Sequence, residues 1–152
     1  MRSSALAAAL LVMAAPSWAA ELLMPDPALS PAEVVETQLK ALQVNDTPET
    51  DAGIAQTWAF AHPDNKRVTG PLPRFAAMIK GPMYRILLNH QSHEVEEVLS
   101  TDDQAVFAVT VTGASGKAVI YQWRVAKVAE GEHAGAWMTT AVSPPIGAGQ
   151  AL

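Results

Sequence analysis

Three of the four histidines, His62, His90 and His93, fall within one stretch of the chain that also contains Tyr84. Histidine exchanges protons near neutral pH at its ordinary pKa. His90 is therefore the candidate general base, with Tyr121 or Tyr84 as its partner, for an isomerase- or hydrolase-type reaction. Such chemistry also needs a group that orients the base, and the sequence around His90 names no carboxylate for that role. The bland alternative is that Asn89 and His90 satisfy backbone groups at the end of a strand while His93 is solvated. A zinc site needs about four ligands at tetrahedral geometry. His90 and His93 are three apart, which on a strand sends them to opposite faces, and there is no cysteine to complete a set. No metal, cofactor or catalytic residue is expected from these patterns.

Other chemistry-bearing groups lead to structural expectations. Glu94, Glu96 and Glu97, followed by Asp102 and Asp103, lack the alternating spacing and central glycine of a calcium loop. They read as a solvated acidic edge. Thr69-Gly70-Pro71-Leu72-Pro73 before Arg74 resembles an anion-binding helix start, but two prolines remove two of the amides such a site needs. No serine has the setting of an activated nucleophile. The remaining candidates are aromatic. Trp58, Tyr84, His90, Tyr121 and Trp123 together make the best wall for a small-molecule pocket, mainly apolar with a few polar groups. Singly, each aromatic is the ordinary content of a core.

The elements that must position these residues follow from periodicity. Ser30-Pro31-Ala32-Glu33 is a helix start with a cap, a first-turn proline and a glutamate able to reach back to the cap amide. Val35, Leu39 and Leu42 then form one apolar stripe, and Asn45-Asp46-Thr47-Pro48 ends the helix. A second helix is expected from Asp51 to Ala61, stopped by His62-Pro63, with Gly53 a weak point near its start. A short third helix is expected over Pro73 to Ile79, then strands at Tyr84 to Asn89 and Glu94 to Leu99. Phe107, Val109 and Val111, then Val119, Tyr121, Trp123 and Val125, alternate about the turn Gly113-Ala114-Ser115-Gly116 and predict a hairpin with one apolar face. Trp137 to Val142 is a last strand, and 143–152 a loose tail. Helices followed by antiparallel strands define an α+β domain: N-terminal helices packed on a curved, cone-shaped sheet.

Near its start the chain carries Arg2, an apolar run Ala5 to Ala15, and Ser17-Trp18-Ala19, the three parts of a secretory signal peptide. Cleavage after Ala19 would leave an extended lead-in over 20–29, one domain over 30–142 and the tail. The product is expected to be periplasmic or secreted, with no membrane attachment after cleavage. With no cysteine, its stability rests on packing. A formal net charge of −5 argues against nucleic acid, which calls for a basic face.

Pro31 to Leu42, Asn45-Asp46-Thr47-Pro48, Trp58-Ala59-Phe60-Ala61-His62-Pro63 and Thr69-Gly70-Pro71-Leu72 with Arg74-Phe75 together resemble a bacterial family known only as a domain of unknown function. The order of elements is similar to the nuclear transport factor 2-like superfold, also called cystatin-like or SnoaL-like. That resemblance implies the cone but not an activity, because the superfold carries isomerases, dehydratases, hydrolases, cyclases and non-catalytic binding modules. Its enzymes place an aspartate, histidine or tyrosine deep in the cone, whereas the inward strand positions here include no carboxylate. The leading expectation is an exported, non-catalytic module that binds a small apolar ligand or acts as an accessory. The alternatives are an enzyme using His90 and a tyrosine, and a homodimer formed through the outer sheet face at Ile120, Gln122, Arg124 and Met138.

Overall fold

The computed structural model describes residues 21–148. The expected signal peptide lies outside the described residues. Four helices, α1 (Pro31–Gln43), α2 (Ala52–Ala59), α3 (Pro63–Thr69) and α4 (Leu72–Ile79), precede a 3₁₀ turn at Arg85–Leu87. They pack on an antiparallel sheet of β1 (Ser92–Ser100), β2 (Gln104–Thr112), β3 (Ala118–Lys127), β4 (Trp137–Val142) and β5 (Ile146–Gly147). The strand order is β1-β2-β3-β4, with β5 also on β3. The α+β reading is met.

Helix α1 starts as its sequence dictates. The Glu33 amide donates to Ser30 Oγ at 3.2 Å and the Ser30 amide to Glu33 Oε2 at 2.7 Å, so two orphan donors of the first turn are satisfied reciprocally. Val34, Val35, Leu39 and Leu42 are buried against the inner sheet face, where Phe107, Val109, Val111, Val119, Tyr121, Trp123 and Val125 are buried too. The β2–β3 register pairs Phe107 with Trp123 and Val109 with Tyr121, so both arms turn their apolar sets to the same side.

The Asn45-Asp46-Thr47-Pro48 word ties the helices together. Buried Asn45 accepts the Ile54 amide at 2.9 Å and donates to Asp46 and Asp51, its own amide donates to Asn89, and Lys80 closes the knot on Asp51. Backbone and side-chain amides from Asp51 and Asn89 hold the Asp46 carboxyl below the usual aspartate range. A Cβ at Gly53 would lie 2.2 Å from the Ala41 carbonyl oxygen. That glycine, a weak helix former, is what lets α2 touch the α1 backbone.

Four expectations are corrected. Helix α2, expected to run to Ala61, ends at Ala59, and the backbone of Phe60 and His62 bonds Thr139 of β4 instead; His62-Pro63 begins the unforeseen α3. His62 Nδ1 caps the Asp64 amide at 3.1 Å, and Pro63 takes the first helical position, which suits its fixed φ. Tyr84 to Asn89 is a 3₁₀ turn rather than a strand. The Leu87 amide bonds the Tyr84 carbonyl at 3.0 Å. That spacing turns Tyr84 and Leu87 to one side, where a strand would split them. In the tail, Ile146 and Gly147 pair with Ile120 and Val119. Met138, expected on the outer sheet face, is buried at 1% exposure.

Candidate functional site

A cavity of about 310 Å³ opens between the later helices and β4. Val68 and Asp64 of α3 stand at its mouth, both exposed to solvent. Its walls are mainly apolar: Phe75, Met78 and Ile79 from α4, Tyr84 and Leu87 from the turn, and Val142 from β4. Gln38, Thr57 and Thr139 supply the polar floor.

That floor is a closed hydrogen-bond network. The Trp123 indole N–H is shared between Gln38 Oε1 at 3.0 Å and Thr139 Oγ1 at 3.2 Å. The Thr139 hydroxyl donates to the same Gln38 oxygen at 2.5 Å, and Gln38 Nε2 donates to the Thr57 carbonyl at 3.1 Å. An indole N–H only donates, so the Gln38 amide has a single orientation that serves it. One amide hydrogen of Gln38, a lone pair of Thr139 and those of the Thr57 hydroxyl are left for a guest. Nothing in this floor ionises, and the lining includes one carboxylate, Asp64, and no histidine.

Of the five residues the sequence singles out, Tyr84 lines the cavity and Trp123 holds its floor from behind. Tyr121 stacks on Tyr84 at 6.0 Å but is buried in the core. Each tyrosine donates its hydroxyl to a backbone carbonyl at 2.8 Å, Tyr84 to Val142 and Tyr121 to Met83. Burial raises both phenol pKa values, so neither is poised to release a proton. Trp58 sits outside this lining. Its ring packs on Phe75 at 5.0 Å, under Lys66 Nζ at 5.3 Å and close enough to Gly70 that a Cβ there would lie 2.7 Å from the ring. That contact gives the Thr69-Gly70-Pro71 word a packing role.

His90 stands apart from the tyrosines. It is 2% exposed, and its Nδ1 meets the Leu87 carbonyl at 2.7 Å. Its Nε2 meets His93 Nδ1 at 2.7 Å, and His93 Nε2 meets Glu36 Oε2 at 2.9 Å. His93 is thus bonded within the fold, not solvated. Burial holds the His90 pKa below the ordinary histidine value; the Leu87 carbonyl opposes this and His93 adds to it. The carboxylate absent from the local sequence, Glu36, arrives from α1. Gln38 and Glu36 were missed as site residues. Gln38 left one signal, a polar side chain at a position that the Val35, Leu39, Leu42 stripe should bury.

Among the described residues no group of three or more histidines and carboxylates is placed to hold a metal ion, and no helix is long and apolar enough to cross a membrane. Fold and site define a small α+β domain with a mainly apolar cavity over a floor that does not ionise. The chain belongs to the family described as Domain of unknown function (DUF4864), whose model matches residues 28–143. Neither the curated proteins nor the solved structures provide a match.

Proposed function

We propose that this protein is an exported binding module of the nuclear transport factor 2-like type, which holds a small, mainly apolar molecule between its helices and sheet. The observation that carries this reading is the cavity with an apolar wall and a neutral, hydrogen-bonding floor. Its volume, about 310 Å³, lies at the lower end of the range of roughly 300–1,000 Å³ common for small-molecule pockets. The guest this chemistry favours is compact and uncharged, with one or two groups that accept from Gln38 or donate to Thr139 and Thr57. Export is supported by Arg2, the apolar run Ala5 to Ala15 and the small residues around Ala19.

The reading favours binding over turnover because the cavity brings no histidine to the tyrosines, and both tyrosine hydroxyls are engaged by backbone carbonyls. The test is native mass spectrometry of the protein purified from an export host without refolding, beside Val68→Arg at the cavity mouth. The expected result is a co-purifying mass of a few hundred daltons, consistent with that pocket range, that Val68→Arg loses while its unfolding midpoint stays within about 0.5 kcal/mol of the parent. An adduct retained equally by Val68→Arg would move the site elsewhere. An empty protein that binds no neutral apolar probe by calorimetry would end the reading.

A further inference from the structure

The chain of contacts from Leu87 through His90 and His93 to Glu36 carries a proton count that can be read from its atoms. The Leu87 carbonyl only accepts, so His90 Nδ1, 2.7 Å away, bears a hydrogen. An ionised Glu36 also only accepts, so His93 Nε2, 2.9 Å away, bears another. In two neutral rings this leaves His90 Nε2 and His93 Nδ1 as bare lone pairs facing each other at 2.7 Å. Two acceptors do not sit at that distance inside a protein; one hydrogen must lie between them. Moving a proton onto Glu36 and reversing the His93 ring does not alter the total. However it is distributed, the chain holds one proton more than two neutral imidazoles and a carboxylate.

We propose that His90 and His93 share a single proton, balanced by Glu36, and that this proton is a pH-sensitive latch joining α1 to the start of β1 and to the 3₁₀ turn. The 2.7 Å separation suits N–H···N and is too short for a metal ion between two nitrogens that would each bind it at about 2.0 Å in tetrahedral geometry. Among the described residues Glu36 is the sole charged partner within ion-pairing reach of either ring. From the turn comes only the Leu87 carbonyl, and β2 sets the uncharged Val111 opposite His93. Burial disfavours charge on His90, so the bridging proton sits nearer His93, beside Glu36, and a second proton is resisted.

Losing the proton puts two lone pairs in contact. One ring must then turn and abandon either Leu87 or Glu36. One anchor belongs to the cavity: Leu87 is part of its wall, whereas Glu36 stands outside the lining, on the same helix as the floor residue Gln38. Alkaline release of the latch therefore reaches the cavity directly at Leu87 and through α1 at Glu36, whether or not a guest is present.

The experiment is NMR of the ¹⁵N-histidine-labelled chain, without added ligand, across a pH series. One downfield proton correlated with both rings is expected, lost with rising pH at a midpoint shared by the Leu87 methyls and the Gln38 side-chain amide. Glu36→Gln removes the balancing charge and moves that midpoint to lower pH, while His93→Leu abolishes the signal and the shared step. Independent titration of the two rings with no bridging proton would overturn the proposal. So would stoichiometric zinc or copper that a chelator removes from the pair. An empty cavity leaves every one of these readouts intact.

Discussion

Helix α1 feeds two polar networks from nearly the same place. Gln38 closes a neutral one with Trp123 and Thr139, and Glu36 closes a charged one with His93 and His90. Each spans long sequence distances; the first is shielded from water, while the second ends at the partly exposed Glu36. They differ in proton accounting. The Gln38 network is complete with the protons its groups always carry, while the histidine chain needs one more. A complete neutral network adds order without pH dependence, which suits the floor of a binding cavity. A network that must borrow a proton is stable only over a pH window, which suits a latch.

The largest effect should come from breaking the neutral side. Gln38→Leu removes the acceptor that Trp123 and Thr139 share and leaves donors buried at the cavity floor. An unsatisfied buried donor costs about 1–3 kcal/mol, so we expect a loss of about 3 kcal/mol in urea unfolding. The loss should be the same at every pH at which the histidine chain keeps its shared proton. A loss that varies within that window would show that the two networks are coupled even while the latch is closed.

The histidine chain should give the next effect, and its sign is fixed on the acid side. The folded pKa of His90 is depressed below its unfolded value of 6.5. As pH falls through that value, the unfolded chain takes up a proton the folded chain resists, so stability decreases toward the depressed folded pKa. The slope is at most about 1.4 kcal/mol per pH unit for one proton. His90→Gln, which offers the Leu87 carbonyl a donor that does not titrate, should flatten it. Stability that is level below neutrality in the parent chain would contradict the assignment.

Much of the framework was legible because it rests on local rules. The Ser30–Glu33 cap, the α1 stripe and the alternation about Gly113 to Gly116 depend on residues a few positions apart, and all appear as expected. The turn at Arg85–Leu87 was not legible, since a short apolar run reads equally well as strand or helical turn until its packing is known. His62-Pro63 reads as a stop although the same pair starts a helix, because proline at a first helical position and proline after a last one are the same residue type. The site was least legible. Glu36 and His93 lie 57 residues apart, and Gln38 and Thr139 lie 101 apart. No local period joins them. The aromatics were prominent in the sequence, yet Tyr121 and Trp123 support the cavity from the core while small polar residues form its floor.

The smallest effect sharpens the comparison most. Thr139→Val nearly preserves shape and deletes one hydroxyl from the floor. The Trp123 indole keeps Gln38 Oε1 at 3.0 Å and loses only its longer, 3.2 Å branch, while Gln38 Oε1 keeps one of its two donors. No charged group is exposed and no buried donor is stranded, so the cost should be about 1 kcal/mol, that of one ordinary hydrogen bond. The histidine chain is untouched, so the pH profile of stability should shift uniformly without changing shape. If Thr139→Val instead cost as much as Gln38→Leu, the hydroxyl rather than the amide would be the keystone of the floor. A guest that donates to Thr139 would then bind more weakly to Thr139→Val, while a purely apolar probe would bind at least as well, since the valine methyl offers it contact where the hydroxyl offered none.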